Sequence, residues 1–194
     1  MPIYRRTEMP EQKGGHVQAD LPIKIAVSSC LLGNLVRYDG GHTLHRWIAE
    51  DLAQQFELVA VCPEVGIGLG APRKMLQLRD DPADPYVKGI ENPTVDVTKE
   101  LKGYAEKKSH DLPDICGYIF KSRSPSCGLT EVPVYNASGD IIGYASGVYA
   151  QTIRTVRPDL PVVDETKLYE QDQQKLFVDR VRQYHQKLEK NNVL

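Results

Sequence analysis

The sequence predicts a three-layer α/β fold, Rossmann-like, with a mostly parallel central sheet and flanking helices. Three observations carry that prediction. Short β-branched runs alternate with helical stretches, three of these runs lead into loops that carry a cysteine, and the chain ends in a long amphipathic stretch.

Composition supports an ordinary globular chain. With 194 residues, 41% hydrophobic and 26% charged, it is long enough to bury a sizeable core. Residues 1–21 read as a polar N-terminal extension and residues 22–190 as a single domain. The opening "MPIYRRTEMPEQKGGHVQAD" lacks the apolar segment of an export signal, so a cytoplasmic location is expected. No run approaches a membrane span, and no membrane partner is expected. A formal net charge of -2 without a basic block gives no footprint for a nucleic-acid backbone, so nucleic acid is not an expected partner. Oligomeric state stays open.

The elements follow in order. "IKIAVSS", Ile23 to Ser29, is a β-branched strand ending in small residues. "HTLHRWIAEDLAQQF" sets Leu44, Trp47, Ile48, Leu52 and Phe56 at helical spacing, with Thr43 as the expected cap. "ELVAV" is a second buried strand, and "CPEVGIGLGAPR" is a glycine-rich loop. "KMLQLR" reads as a further strand. Asp80 to Pro93, with three prolines and four acidic residues, reads as an irregular excursion. A helix is expected from near Thr98, then the strand "CGYIFK". "EVPVYNASGDIIGYASG" shows two apolar runs around Asn136 to Asp140, a hairpin signal. "VYAQTIRTV" reads as a helix, and the last stretch places Phe177, Val181, Tyr184 and Leu188 on one helical face.

This order gives the four cysteines their meaning. Without an export signal they point to thiols or metal ligands rather than disulfides. Cys30, Cys62 and Cys127 follow the carboxyl ends of three strands, the edge at which open α/β sheets bind ligands. Cys116 begins its strand; six residues at roughly 3.3 Å each put it about 20 Å away, at the opposite edge.

Three loops therefore converge. In "SSCLLGNLVRYDGGH", Ser29, Arg37, Tyr38 and Asp39 are the substrate-binding candidates, against the simpler reading of an Arg37–Asp39 pair beside a glycine turn. In the second loop, Glu64 lies two residues from Cys62, where a carboxylate can serve as a general base. Its "GIGLG" is not a dinucleotide fingerprint. In "KSRSPSCGLT", Ser122, Ser124 and Ser126 offer hydroxyls to sulfur or to a substrate oxygen, and Lys121 and Arg123 bring positive charge expected to favour thiolate at Cys127. No Cys-x-x-Cys pair exists to close a structural zinc site, although three thiolates with His42 or His45 leave a zinc site open as an alternative. Three thiolates on an iron-sulfur cluster leave one iron exchangeable, a Lewis acid matched to soft sulfur.

"SSCLLGNLVRYDGGH", "VCPEVGIGLGAPR" and "KSRSPSCGL", with "GVYA" and "PDLPVVDE" further on, resemble the thiouracil desulfidase family over roughly Lys24 to Lys187. The resemblance implies an α/β fold and a [4Fe-4S] cluster held by Cys30, Cys62 and Cys127, with Cys116 outside the motifs. It implies a carbon-sulfur hydrolase or lyase that converts 2- or 4-thiouracil, or a nucleoside of it, to uracil and sulfide without redox change. The thiocarbonyl sulfur would bind the open iron while a water, positioned by Glu64 and a serine, adds to the carbon. Ser124 is the expected serine, with Ser126 next. The rival readings are a non-catalytic iron-sulfur or zinc protein and a tRNA sulfur-transfer enzyme; for the latter the chain offers neither a phosphate loop nor a basic patch.

Overall fold

The computed structural model describes residues 22–192, so the 1–21 extension lies outside the described residues. Eight strands appear among those residues: β1 (Lys24–Ser28), β2 (Glu57–Val61), β3 (Leu76–Arg79), β4 (Tyr86–Gly89), β5 (Ile115–Phe120), β6 (Val132–Tyr135), β7 (Ile141–Ala145) and β8 (Val162–Asp164). The helices are α1 (Pro63–Gly66), α2 (Thr98–Asp111), α3 (Val148–Val156) and α4 (Gln171–Asn192).

The central sheet has the order β2-β1-β5-β8, and every pair in it is parallel. Because the chain steps from β1 out to β2 and then returns to β5 on the other side, a topological switch point lies between β1 and β5. Both faces of the sheet are covered. On one face, Ile25, Val27 and Ile119 pack with Ile48, Leu52, Phe56, Phe177 and Val181. On the other, Ala26, Tyr118 and Phe120 pack with Ala105 of α2 and Tyr149 and Ile153 of α3. Gly117 lets α4 come close, since a Cβ there would stand 2.7 Å from Val181 Cγ2. Burying Phe177 and Val181 contributes roughly 1.5–3 kcal/mol each, enough to fix α4 on this face.

A second sheet, of order β4-β3-β6-β7, was not separable from the first in the sequence. Its inner residues Leu78, Val87, Val132 and Val134 pack on Leu101 of α2 and Val148 of α3. The hairpin is present as the antiparallel β6–β7 pair. The excursion from Asp80 to Pro93 is not wholly irregular: it contains β4, whose Val87 pairs with Leu78 of β3 and is fully buried. One buried valine among turn-forming residues is enough when a neighbouring strand supplies the hydrogen bonds.

Two further expectations are corrected. The stretch after Thr43 is a π-helical turn, Trp47–Asp51, followed by a 3-10 turn, Leu52–Gln54. This wide turn and tight turn keep Ile48, Leu52 and Phe56 buried, while Leu44 is 43% exposed. Thr43 does not cap the helical stretch, which starts four residues further on at Trp47; its amide donates to the Cys30 carbonyl at 3.0 Å. The loop after Cys62 begins as a helical turn, α1, with Pro63 at its first position, where the missing N–H costs nothing.

Candidate active site

The loops after β1, β2 and β5 enclose a cavity of about 390 Å³, lined by Cys30, Cys62 and Cys127 together. It lies at the carboxyl edge of the sheet, at the switch point where α/β folds bind ligands. Cys116 sits at the far edge, its Sγ 3.7 Å from His185 Nδ1. All four cysteines are free thiols.

Local structure places each thiol. Cys30 lies in a 3-10 turn, Ser29–Leu32, that continues β1 and ends at Gly33 in a left-handed conformation, φ 87. Cys62 is the residue that enters α1, its carbonyl accepting the Gly66 amide at 2.9 Å. Cys127 is set by the serine-rich loop. Ser124 Oγ accepts the amides of Ser126 and Cys127 at 3.2 and 3.0 Å, which folds the loop on itself. The first amides of α3 hold that loop from behind: Val148 N–H donates to the Pro125 carbonyl at 3.1 Å and Ala150 N–H to that of Ser126 at 3.0 Å. These are amides that a helix cannot satisfy internally. The approach requires glycine at 147, where a Cβ would stand 2.6 Å from the Ser126 carbonyl atoms.

Burial is the largest influence on all three thiols and raises each above the ordinary value. The Thr43 hydroxyl, Lys121 and Arg37 oppose this at Cys30. Cys127 is raised well above the ordinary value, by burial first and the Glu64 charge second. The charge of Lys121 acts at Cys30 and not, as expected, at Cys127. In the metal-free protein these groups are therefore neutral thiols, and a metal that takes them as thiolates must displace their protons.

Glu64 lines the cavity and is fully committed on its inner side. Its Oε1 accepts the Ser126 hydroxyl at 2.8 Å. Arg73 Nε donates to Oε2 at 2.7 Å, and Nη2 lies 2.5 Å from the same oxygen. The remaining guanidinium nitrogen, Nη1, donates to the carbonyls of Val36 and Gly70, both at 2.8 Å, so one arginine ties the first loop to the second. A second buried carboxylate, Glu165, braces the third loop. It accepts the Ser122 amide at 2.6 Å and the Ser122 hydroxyl at 2.7 Å, and it pairs with Lys121.

Of the candidates named from sequence, Ser29, Arg37, Tyr38, Glu64 and Ser124 line the cavity. Ser126 is fully buried behind it. The serine bonded to Glu64 is thus Ser126, whereas Ser124 faces the cavity with its oxygen already accepting two amides. Asp39 stands outside the lining and pairs with Arg37, Nη2 to Oδ2 at 3.2 Å, as the simpler reading had it. His42 accepts the Leu44 amide in an exposed turn, and His45 is buried against Tyr169. Neither lines the cavity. Arg73 and Glu165 went unremarked in the sequence. Arg73 ends the glycine-rich loop and Glu165 ends "PDLPVVDE", and nothing local marks either as the partner of a residue so distant.

Among the described residues, no three His, Cys, Asp or Glu side chains converge closely enough to hold one metal ion. The three cysteines instead surround a space. A family model for 2-thiouracil desulfurase matches residues 25–165. A solved structure, a [4Fe-4S]-dependent thiouracil desulfidase called TudS, is 32% identical with a TM-score of 0.57, over 75% of this chain and 93% of that one. Curated protein sequences give no match. With the family model covering residues 25–165 of 194, and with the three cysteine loops inside that span, the chain belongs to the 2-thiouracil desulfurase family.

Proposed function

We propose that this protein is an enzyme that removes sulfur from a thiolated pyrimidine, with Cys30, Cys62 and Cys127 as the ligands of a [4Fe-4S] cluster. The observation that carries the reading is the convergence of three thiols from three loops on one cavity without the close approach that a single ion needs. A zinc with sulfurs at about 2.3 Å would draw its ligands onto one point; thiolates that each hold a different iron stand further apart. The thiouracil desulfidase TudS, which depends on such a cluster, supports the assignment. The reading treats residues 22–190 as one domain.

When bound through three cysteines, the cluster supplies an iron without a protein ligand, a soft Lewis acid suited to a thiocarbonyl sulfur. The remaining tasks fall to side chains. Water and thiocarbonyl give carbonyl and hydrogen sulfide, so no electrons are needed, only a base, a site for the ring and protection from solvent. Glu64 takes the water proton. Ser126 and Arg73 fix its carboxylate in the cavity wall, and Oε1, which accepts the Ser126 hydroxyl, keeps one lone pair for the water. Ser124, whose oxygen is occupied by two amides, has its hydroxyl proton to offer to the substrate's oxygen or sulfur. Val36, Met75 and Leu76 give the cavity an apolar wall for the pyrimidine ring, and Arg37 and Tyr38 stand at its mouth. A cavity of this size suits a small ligand, and the substrate is 2- or 4-thiouracil or a nucleoside of it.

The test is sulfide release from 2-thiouracil and 4-thiouracil by the anaerobically reconstituted protein and its Glu64→Gln variant. Loss of a general base costs about 10²–10⁴-fold in rate. Turnover of one base, with a loss in that range in the variant at unchanged iron content, supports the reading. A loaded protein inert toward both bases and their nucleosides contradicts it.

A further inference from the structure

Glu64, the base of the reaction above, is carried on a single helical turn. α1 has only four residues. The Gly66 amide donates to the Cys62 carbonyl at 2.9 Å, the Ile67 amide to that of Pro63 at 3.0 Å and the Leu69 amide to that of Glu64 at 3.1 Å, so the segment moves as one unit. A helix this short is not stable by itself and takes its place from tertiary packing. What α1 rests on therefore decides where Glu64 stands.

It rests on Tyr104 of α2. A Cβ at Gly66 would stand 2.2 Å from Tyr104 Cζ, 2.4 Å from its hydroxyl oxygen and 2.5 Å from Cε2. The end of the phenol ring thus lies directly on the Gly66 backbone, with no room for a side chain between them. The ring is itself held. Its centroid is 6.0 Å from that of Tyr149, which is fully buried, and Lys108, one turn along α2, places Nζ 5.6 Å from the Tyr104 centroid. The neighbouring α2 residues Leu101 and Ala105 are fully buried and fix the helix that carries it. Ser126 and Arg73 hold the Glu64 carboxylate; the Tyr104–Gly66 contact holds the backbone from which it projects.

We infer that Tyr104 is a positioning residue: its ring, seated on Gly66, sets the depth of α1 and with it the distance from the Glu64 carboxylate to the reacting carbon. The inference rests on Glu64 being the base of the proposed reaction. A misplacement of about 1 Å in a reacting group costs about 10²-fold in rate. Val36, Met75 and Leu76, the apolar wall for the ring, lie on other segments, so binding is spared.

Tyr104→Leu lacks the three atoms that meet Gly66, and Gly66→Ala drives a methyl group into them. Each should lower kcat for thiouracil, counted per iron-loaded chain, by about 10²-fold, with KM unchanged. Two further results separate positioning from a loss of stability. Gly66→Ala combined with Tyr104→Leu should regain much of the lost kcat, because the added methyl fills space that the ring has left. On top of Glu64→Gln, neither substitution should lower the rate further, because the group that each displaces is already gone. Wild-type kcat in Tyr104→Leu overturns the inference. So does a loss in Tyr104→Leu that recurs in full in the Glu64→Gln background, or a Gly66→Ala/Tyr104→Leu enzyme no faster than the slower of its parents. Where Gly66→Ala does not fold, Tyr104→Leu with and without Glu64→Gln decides the matter. A loaded wild-type protein inert toward thiouracil, or Glu64→Gln at the wild-type rate, instead overturns the function on which the inference rests, and both are read without any change at Tyr104.

Discussion

Arg73→Met removes the cation from a buried ion pair. The Arg73 and Glu64 side chains are only 8% and 11% exposed, and the guanidinium makes two contacts to one carboxylate oxygen, at 2.7 and 2.5 Å. Removing one member of a buried pair costs about 3–5 kcal/mol, chiefly because the charge left behind has no compensation. For a chain of this size each kcal/mol is about 2–4 °C in Tm, so the expected fall is roughly 6–20 °C. The variant also frees the carbonyls of Val36 and Gly70, which loosens the first loop from the second. Urea unfolding of the metal-free protein followed by circular dichroism measures the loss directly. Adding Glu64→Gln to Arg73→Met removes the stranded charge, so the double variant should be less destabilised than the two single costs added together, by about 0.5–3 kcal/mol. An Arg73→Met cost below about 1 kcal/mol, or strict additivity in the double variant, would refute the claim that the pair organises the cavity wall.

Other outcomes follow from the same geometry. Gly147→Ala drives a Cβ to 2.6 Å from the Ser126 carbonyl and 2.9 Å from the Cys127 amide. Overpacking of this kind costs about 1–3 kcal/mol, and iron content after reconstitution should fall with it, whereas a surface Gly103→Ala control, with open space around its Cβ, should keep both. Cys116, raised to about 11 by burial, should be alkylated at pH 8 about 200-fold more slowly than a free thiol of pKa about 8.5. Its ionisation also sets a pH dependence: the unfolded chain loses this proton first, so its contribution to stability is full below pH 9.0 and is lost as pH rises toward about 11. Unfolding measured across that window should show a shallower decline for Cys116→Ala.

The sequence exposed the parts of this molecule whose signals are local. β1, β2 and β5 are continuous apolar runs, and each leads to a cysteine, so their shared edge could be reasoned out before any contact was known. The same argument put Cys116 at the opposite edge, where it meets His185. What stayed hidden depends on partners far along the chain. Val87 sits among prolines and acidic residues, and only its pairing with Leu78 makes a strand of that segment. Arg73 reaches Glu64, Val36 and Gly70 at once, and no spacing in the sequence announces those partners. The three alternate serines of the third loop could not be told apart by position. The turn made by Ser124 sends Ser126 inward to Glu64 and leaves Ser124 facing the cavity, a difference of side-chain direction that follows from the fold of the loop. Thr43 reads as a helix cap because it precedes an apolar periodic stretch, yet the helical turn starts later and it is the Thr43 amide that is used, on the Cys30 carbonyl.

The central claim is that Cys30, Cys62 and Cys127 together hold one cluster on which desulfuration depends. It is tested most directly by counting iron and sulfide per chain after anaerobic reconstitution, for wild type and Cys127→Ala, with sulfide release from thiouracil followed on the same samples. The account predicts about four of each per wild-type chain, in line with the [4Fe-4S] type of the related desulfidase, and both cluster content and turnover lost in Cys127→Ala. A single bound metal ion in wild type, or undiminished sulfide release from Cys127→Ala, would contradict it.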